Sequence, residues 1–174
     1  MKKKILVISG GISKERLISL NTGKQVVKEL SKYGYKVINV EPDYKLAETV
    51  KLFKPNIIFN ALHGQFGEDG YIQTILESFG VPYTHSGVIS SAIAMDKNLS
   101  KQIFIKNNIL TPKYIIYSFD KTISHLINLI ENKLNFPVVI KPLNEGSSVN
   151  VFICTKKKIK KKLTLLRDYK KIMI

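Results

Sequence analysis

Cysteine is almost missing from this 174-residue chain, where Cys154 stands alone. Its scarcity excludes an internal disulfide and a cysteine-rich zinc site. Long apolar runs are missing too, since none nears the roughly 20 residues that cross a bilayer. The opening MKKKILVISGG starts with basic residues, as a secretory leader does, but its apolar run is only Ile5 to Ile8. Glycine follows at once, so a first β-strand and a cytoplasmic location are expected. Acidic residues are few, 13 against 28 basic ones, for a net charge of +15. Arginine contributes only Arg16 and Arg167; the other basic residues are lysines, alongside abundant isoleucine and asparagine. That trio reads as compositional bias. No RNP, helix-turn-helix or zinc-finger pattern accompanies the charge, which makes nucleic-acid binding through KKKIKKKL (Lys156 to Leu163) a lesser alternative.

What is present is globular, with 44% hydrophobic residues and enough length for one domain or two small ones. KILVIS (4–9) reads as a strand, 14–32 as an amphipathic helix, KVINV (36–40) as a strand and 44–53 as a short helix. NIIFNAL (56–62) is a third strand. Asp69 is the expected N-cap of a helix over about 70–79, and VPYT (81–84) a short fourth strand. Such alternation predicts a parallel, doubly wound sheet that binds ligands at the carboxyl ends of its strands.

Beyond a boundary near 90–96 the pattern changes. A helix is expected over about 97–107, a strand at KYIIYS (113–118) and a helix over 120–133. FPVVIKPLNEGSSVNVFIC (136–154) reads as two strands joined by a polar loop. After Lys156 come one helix and a final strand, YKKIMI. Read as an unpaired apolar edge, that strand suggests a chain lacking its continuation.

Four stretches carry polar groups where such a fold seats ligands. In VISGGISKERLISL (7–20) the glycine turn has neither the dinucleotide nor the phosphate-loop spacing. Glu15 suits the positive end of the following helix; alternatively, it would repel phosphate and attract an ammonium group. In NALHGQFGEDGYIQ (60–73), His63 follows a strand inside a glycine loop, while Glu68 and Asp69 serve as helix caps. Their spacing is too loose for a metal. In SGVISSAIAMDKNLSK (86–101), Lys97 enters a helix just past the boundary. In VVIKPLNEGSSV (138–149), Lys141 ends an apolar strand, where a lysine is costly unless it faces a charge. Glu145, Gly146, Ser147 and Ser148 then form either a phosphate cradle or an ordinary turn.

In this order and spacing the four stretches resemble the D-alanine–D-alanine ligases, ATP-grasp enzymes of peptidoglycan and cell-wall synthesis. The resemblance implies an N-terminal doubly wound α/β domain of the pre-ATP-grasp type over 1–92, the substrate and dimer side. An α+β ATP-grasp subdomain over 93–174 would follow, with its C-terminal half missing. The implied reaction joins two D-alanines: ATP phosphorylates the first carboxylate, and the second amino group attacks the acyl phosphate. Glu15 would hold the first D-alanine's ammonium, oriented by a hydrogen bond to Ser147, and His63 would lie beside its carboxylate. Lys97 and Lys141 would reach ATP's phosphates, and the loop Glu145, Gly146, Ser147 and Ser148 would close over them.

The resemblance also implies Mg2+ or Mn2+, with no metal ligand in this chain, and a cytoplasmic homodimer contacting through the N-terminal domain. A separately encoded C-terminal half is a further expected partner. Asn150 departs from the glycine common in the family after Ser-Ser-Val, although asparagine tolerates positive φ. A non-catalytic fragment or pseudoenzyme that only binds ligand remains the alternative, as does D-lactate or D-serine as second substrate.

Overall fold

The structure is a computed structural model that describes residues 2–174. It divides into two compact units, Met1–Ile93 and Ala94–Ile174. In the first, β1 (Lys4–Ile8) is followed by α1 (Arg16–Lys32), β2 (Lys36–Val40), α2 (Leu46–Phe53), β3 (Ile57–Asn60) and α3 (Tyr71–Ser78). The strands form a parallel sheet ordered β2-β1-β3. Because strand side chains alternate, β1 feeds two cores. Ile5 and Val7 pack beside Ala61, Val26, Val27 and Leu30, on the α1 side. Leu6 and Ile8 pack with Leu46, Val50, Ile72 and Leu76 from α2 and α3. Burial on both faces explains the unbroken apolar run of β1, as parallel sheets require. Helix α1 approaches closely because Gly23 has no side chain; a Cβ there would sit 2.5 Å from that of Ser9.

The fourth strand expected at VPYT is reduced to one parallel bridge, Ile58 to Tyr83. Ile58 donates to the Pro82 carbonyl at 2.9 Å and Thr84 donates to Ile58 at 3.0 Å, too short a run for a strand. Asp69 does not cap α3 as expected. Gly70 occupies the cap with φ 94°, and Asp69 instead accepts from the Phe66 and Tyr71 N–H groups. A helix not foreseen, α4, covers Val88–Met95.

The second unit contains α5 (Lys97–Lys106), β4 (Ile116–Ser118), α6 (Ile123–Lys133), β5 (Val138–Pro142), β6 (Phe152–Cys154), α7 (Ile159–Thr164) and β7 (Lys171–Met173). Asp96 caps α5, accepting from Asn98 and Leu99 N–H, and Thr122 caps α6. The antiparallel sheet runs β4-β7-β5-β6. The final strand is therefore central rather than the bare edge its sequence position suggested. Met173 pairs with Ile116 on one side and with Lys141 on the other. Sequence order conceals this because β7 inserts between two strands formed much earlier in the chain. A core of Leu126, Ile130, Ile140, Ile159, Leu163, Leu166 and Ile172 fills the unit. Among the described residues, no helix is long and apolar enough to cross a membrane.

Candidate functional site

The carboxyl ends of β1 and β3 open onto a cleft of about 730 Å³ in the first unit, lined by Gly10 to Ser13, His63 and Phe66 among others. The glycine turn at its mouth is not a phosphate seat, because both N–H groups are occupied. Gly10 donates to Ser19 Oγ at 2.7 Å and Gly11 to Glu41 Oε1 at 2.9 Å. Arg16 holds the same Glu41 through two bonds of 2.7 and 2.9 Å. Chiefly for that reason the Glu41 carboxyl is held below the ordinary carboxylate range, with the Gly11 N–H assisting.

Glu15 sits immediately before α1, with only 2% of its surface exposed. It makes no side-chain capping bond, although its place at the N-cap of α1 suits the positive end of that helix, as expected. Its carboxylate faces Gly64 instead, where a Cβ would lie 2.7 Å from Oε1. Gly64 also has φ 70°, so close approach and backbone conformation both demand glycine. Ser13 ties these loops together: its hydroxyl donates to the His63 carbonyl at 2.8 Å and accepts from the Glu15 N–H at 3.1 Å. The His63 ring lies 3.0 Å from Thr22 Oγ1 at Nε2 and 3.8 Å from Glu68 Oε1 at Nδ1. Glu68, expected as a cap, accepts from Gly64 N–H at 2.8 Å and so braces the loop. Asn60 and Gln73 both donate to the Gly67 carbonyl at 2.9 Å, which anchors the loop's far end.

The other predicted residues fall in the second unit. Lys97 and Lys141 line one cleft of about 840 Å³, together with Lys101, Tyr114 and Met173. Lys97 Nζ donates to the carbonyls of Leu143, at 3.1 Å, and Glu145. Burial pushes the Lys97 pKa below its ordinary 10.5; the nearby Lys141 charge adds to this, against Glu145 and Asp96. Lys101 is lowered by the same two causes, burial before Lys141. Crowded ammonium groups that repel one another form a site that gains by receiving an anion. Ser147, Ser148 and Asn150 all have positive φ, at 42°, 59° and 57°. The bond from Val149 N–H to the Gly146 carbonyl closes the turn at 2.9 Å.

Residues 41–86 match the family model described as D-ala D-ala ligase N-terminus, and residues 94–173 the RimK-like ATP-grasp domain. The D-alanine–D-alanine ligase of Pelagibacter ubique (strain HTCC1062) is 65% identical over 174 residues, 100% of this chain and 57% of the relative. That of Carboxydothermus hydrogenoformans is 40% identical over 98% of this chain and 56% of its own length. The solved D-alanine–D-alanine ligase from Bacillus anthracis superposes with a TM-score of 0.82 and 35% identity, covering 98% of this chain and 56% of that one.

Over its whole length the chain matches the N-terminal part of D-alanine–D-alanine ligases. It spans about half the length of the curated relatives it matches. The first unit is a parallel α/β sheet that contains the match to the ligase N-terminus, and the second contains the match to the ATP-grasp domain.

Against this family background, sequence reasoning overlooked Lys101. The signal was available, because Lys97 and Lys101 are four residues apart and share a helix face. Lys101 Nζ donates to Thr111 Oγ1 at 2.6 Å and the Pro112 carbonyl at 2.7 Å, and lies 5.0 Å from the Tyr114 ring centre. The lysine-rich tract has a packing explanation of its own. Ile159 and Leu163 are buried, Lys156 meets Glu131, and Lys162 lies 4.5 Å from the Phe152 ring centre.

Proposed function

We propose that the protein carrying this chain joins two D-alanines at the expense of ATP, through an acyl phosphate. The observation that carries this reading is Glu15, an acid buried at the carboxyl end of a parallel sheet and facing a glycine that alone leaves it room. A buried carboxylate repels phosphate and pairs with ammonium, which suits the amino group of the first D-alanine. His63, held between Thr22 and Glu68, would lie beside that substrate's carboxylate. Ser147 would help orient the substrate from the loop. ATP belongs to the second unit, where Lys97 and Lys141 neutralise charge on the transferring phosphoryl group. Phosphoryl transfer depends largely on such positioning and neutralisation. Donors of the Glu145 to Ser148 loop would cover the nucleotide.

Relatives of this family lead us to expect Mg2+ in the reaction. Among the described residues, no group of three or more His, Cys, Asp or Glu is arranged to hold a metal ion. The residues present do not fit a metal site, and no step is assigned to one. A homodimer through the first unit and a cytoplasmic location are part of the same proposal.

The test is Glu15→Gln in a version of the protein as long as its relatives. The D-alanine KM should rise at least tenfold while ATP affinity stays within twofold. An equal fall in both would refute the assignment of Glu15 to the amino acid.

A further inference from the structure

Tyr169 has no part in the reaction as described above, yet its hydroxyl meets both ends of the Glu145 to Asn150 loop. It donates to Glu145 Oε1 at 2.9 Å and accepts from Asn150 Nδ2 at 2.9 Å. The ring is partly buried against the core of the second unit, in the turn between α7 and β7. One rigidly mounted hydroxyl thus joins the first and last residues of a segment whose backbone is held at positive φ at Ser147, Ser148 and Asn150. Asn150 reaches this partner from a left-handed conformation that asparagine tolerates, and its amide supplies a bond that glycine has no side chain to make. From Glu145 the connection continues, because its carbonyl accepts from Lys97 Nζ. Asn150, Tyr169, Glu145 and Lys97 therefore form one linked series that ends at the lysine-lined cleft.

We propose that Tyr169 is a positioning residue: it latches both ends of the Glu145 to Asn150 loop and, through Glu145, aims the Lys97 ammonium at a nucleotide's phosphates. The latch acts through another group and touches no substrate. Its second clause rests on the nucleotide reading of the cleft, whereas the latch itself does not.

The experiment uses the 174-residue chain with Tyr169→Phe, which keeps the ring and removes the hydroxyl. Hydrogen exchange is followed at the Val149 and Val151 amides, which are bonded to the Gly146 and Ser148 carbonyls. ATP affinity is measured by calorimetry alongside. Losing two hydrogen bonds should speed exchange at both amides roughly tenfold or more, with α6 amides unchanged. ATP affinity should fall several-fold. Glu145→Gln retains an oxygen that can accept from Tyr169, so its loop should stay protected, whereas Glu145→Ala should lose protection. Asn150→Gly and Tyr169→Phe should be non-additive when combined. Unchanged exchange in Tyr169→Phe overturns the latch. Faster exchange with unchanged ATP affinity overturns its link to Lys97. If the unmodified chain binds no ATP, the nucleotide reading fails and the positioning proposal fails with it, while the exchange result still decides whether the loop is latched. Should Tyr169→Phe unfold the unit, Asn150→Gly alone carries the same exchange test from the loop's other end, and unchanged exchange there overturns the latch.

Discussion

The two units solve opposite electrostatic problems with opposite chain arrangements. The first holds a single buried acid at the end of a parallel sheet whose strands follow the chain with local crossovers. The second gathers Lys97, Lys101 and Lys141 around one cleft, on an antiparallel sheet completed by its last strand. A buried carboxylate must be given room. Clustered ammonium groups must be tied down against mutual repulsion. Gly64 supplies the room in one case; the carbonyls of Leu143, Glu145 and Pro112 do the tying in the other.

The sharpest way to break this comparison is to attack the central strand of the second unit. Ile172→Asp places a charge at a fully buried position of β7 and should cost more than about 4 kcal/mol, abolishing the unit's cooperative unfolding. Ile153→Lys on edge strand β6, where the side chain is 76% exposed, should stay within about 0.5 kcal/mol. Denaturant unfolding of the two variants measures the contrast, and equal effects would contradict the strand order.

Lys141→Ala should lower ATP affinity about 10–100-fold, the range for a lost charge-assisted hydrogen bond. It should also relieve Lys97, whose pKa is depressed by burial first and by Lys141 second. On the proposed reading nucleotide binding needs protonated Lys97, so affinity should fall as pH rises through that lowered value, below 10.5. In the variant this alkaline limb should move upward. The linkage to folding has the opposite sign. Between the lowered value and 10.5 the unfolded chain binds more protons, so this lysine's contribution favours folding increasingly as pH rises.

Gly64→Ala tests the acid's room. A left-handed alanine costs about 1–2 kcal/mol, and its Cβ would also displace Glu15. Chemical denaturation should register the first effect and D-alanine calorimetry the second. The smallest effect belongs to the exposed Arg16–Glu41 pair. Glu41 titrates below its unfolded value of 4.5, so its contribution is complete above that pH and is lost as pH falls through the folded value. Arg16→Ala should move the Glu41 titration toward 4.5, read from the Gly11 amide signal, with little change in melting temperature.

The first unit was largely legible because its signals are local. Ile5 to Ile8 announce a doubly buried strand, and each following helix returns the chain beside it. What local reading mistook were contacts between loops. Glu68 and Asp69 looked like helix caps, but their carboxylates serve Gly64, Phe66 and Tyr71 N–H groups. In the second unit, Lys141 was readable from its cost at the end of an apolar strand. Tyr169 was not, because its partners Glu145 and Asn150 lie 24 and 19 residues away and no periodicity connects them. The placement of β7 was invisible for the same reason, since strand propensity says nothing about which neighbour a strand will choose.

That placement also sets a timetable for synthesis. The first sheet has every strand available once Thr84 has emerged, whereas β4 and β5 must wait for Lys171–Met173 before they can be joined. At about 5–20 residues per second, the interval lasts several seconds. From Pro142 until Lys171 the nascent second unit carries β4 and β5 without the strand that joins them, and this is the period when a chaperone or a stray strand has most opportunity to intervene.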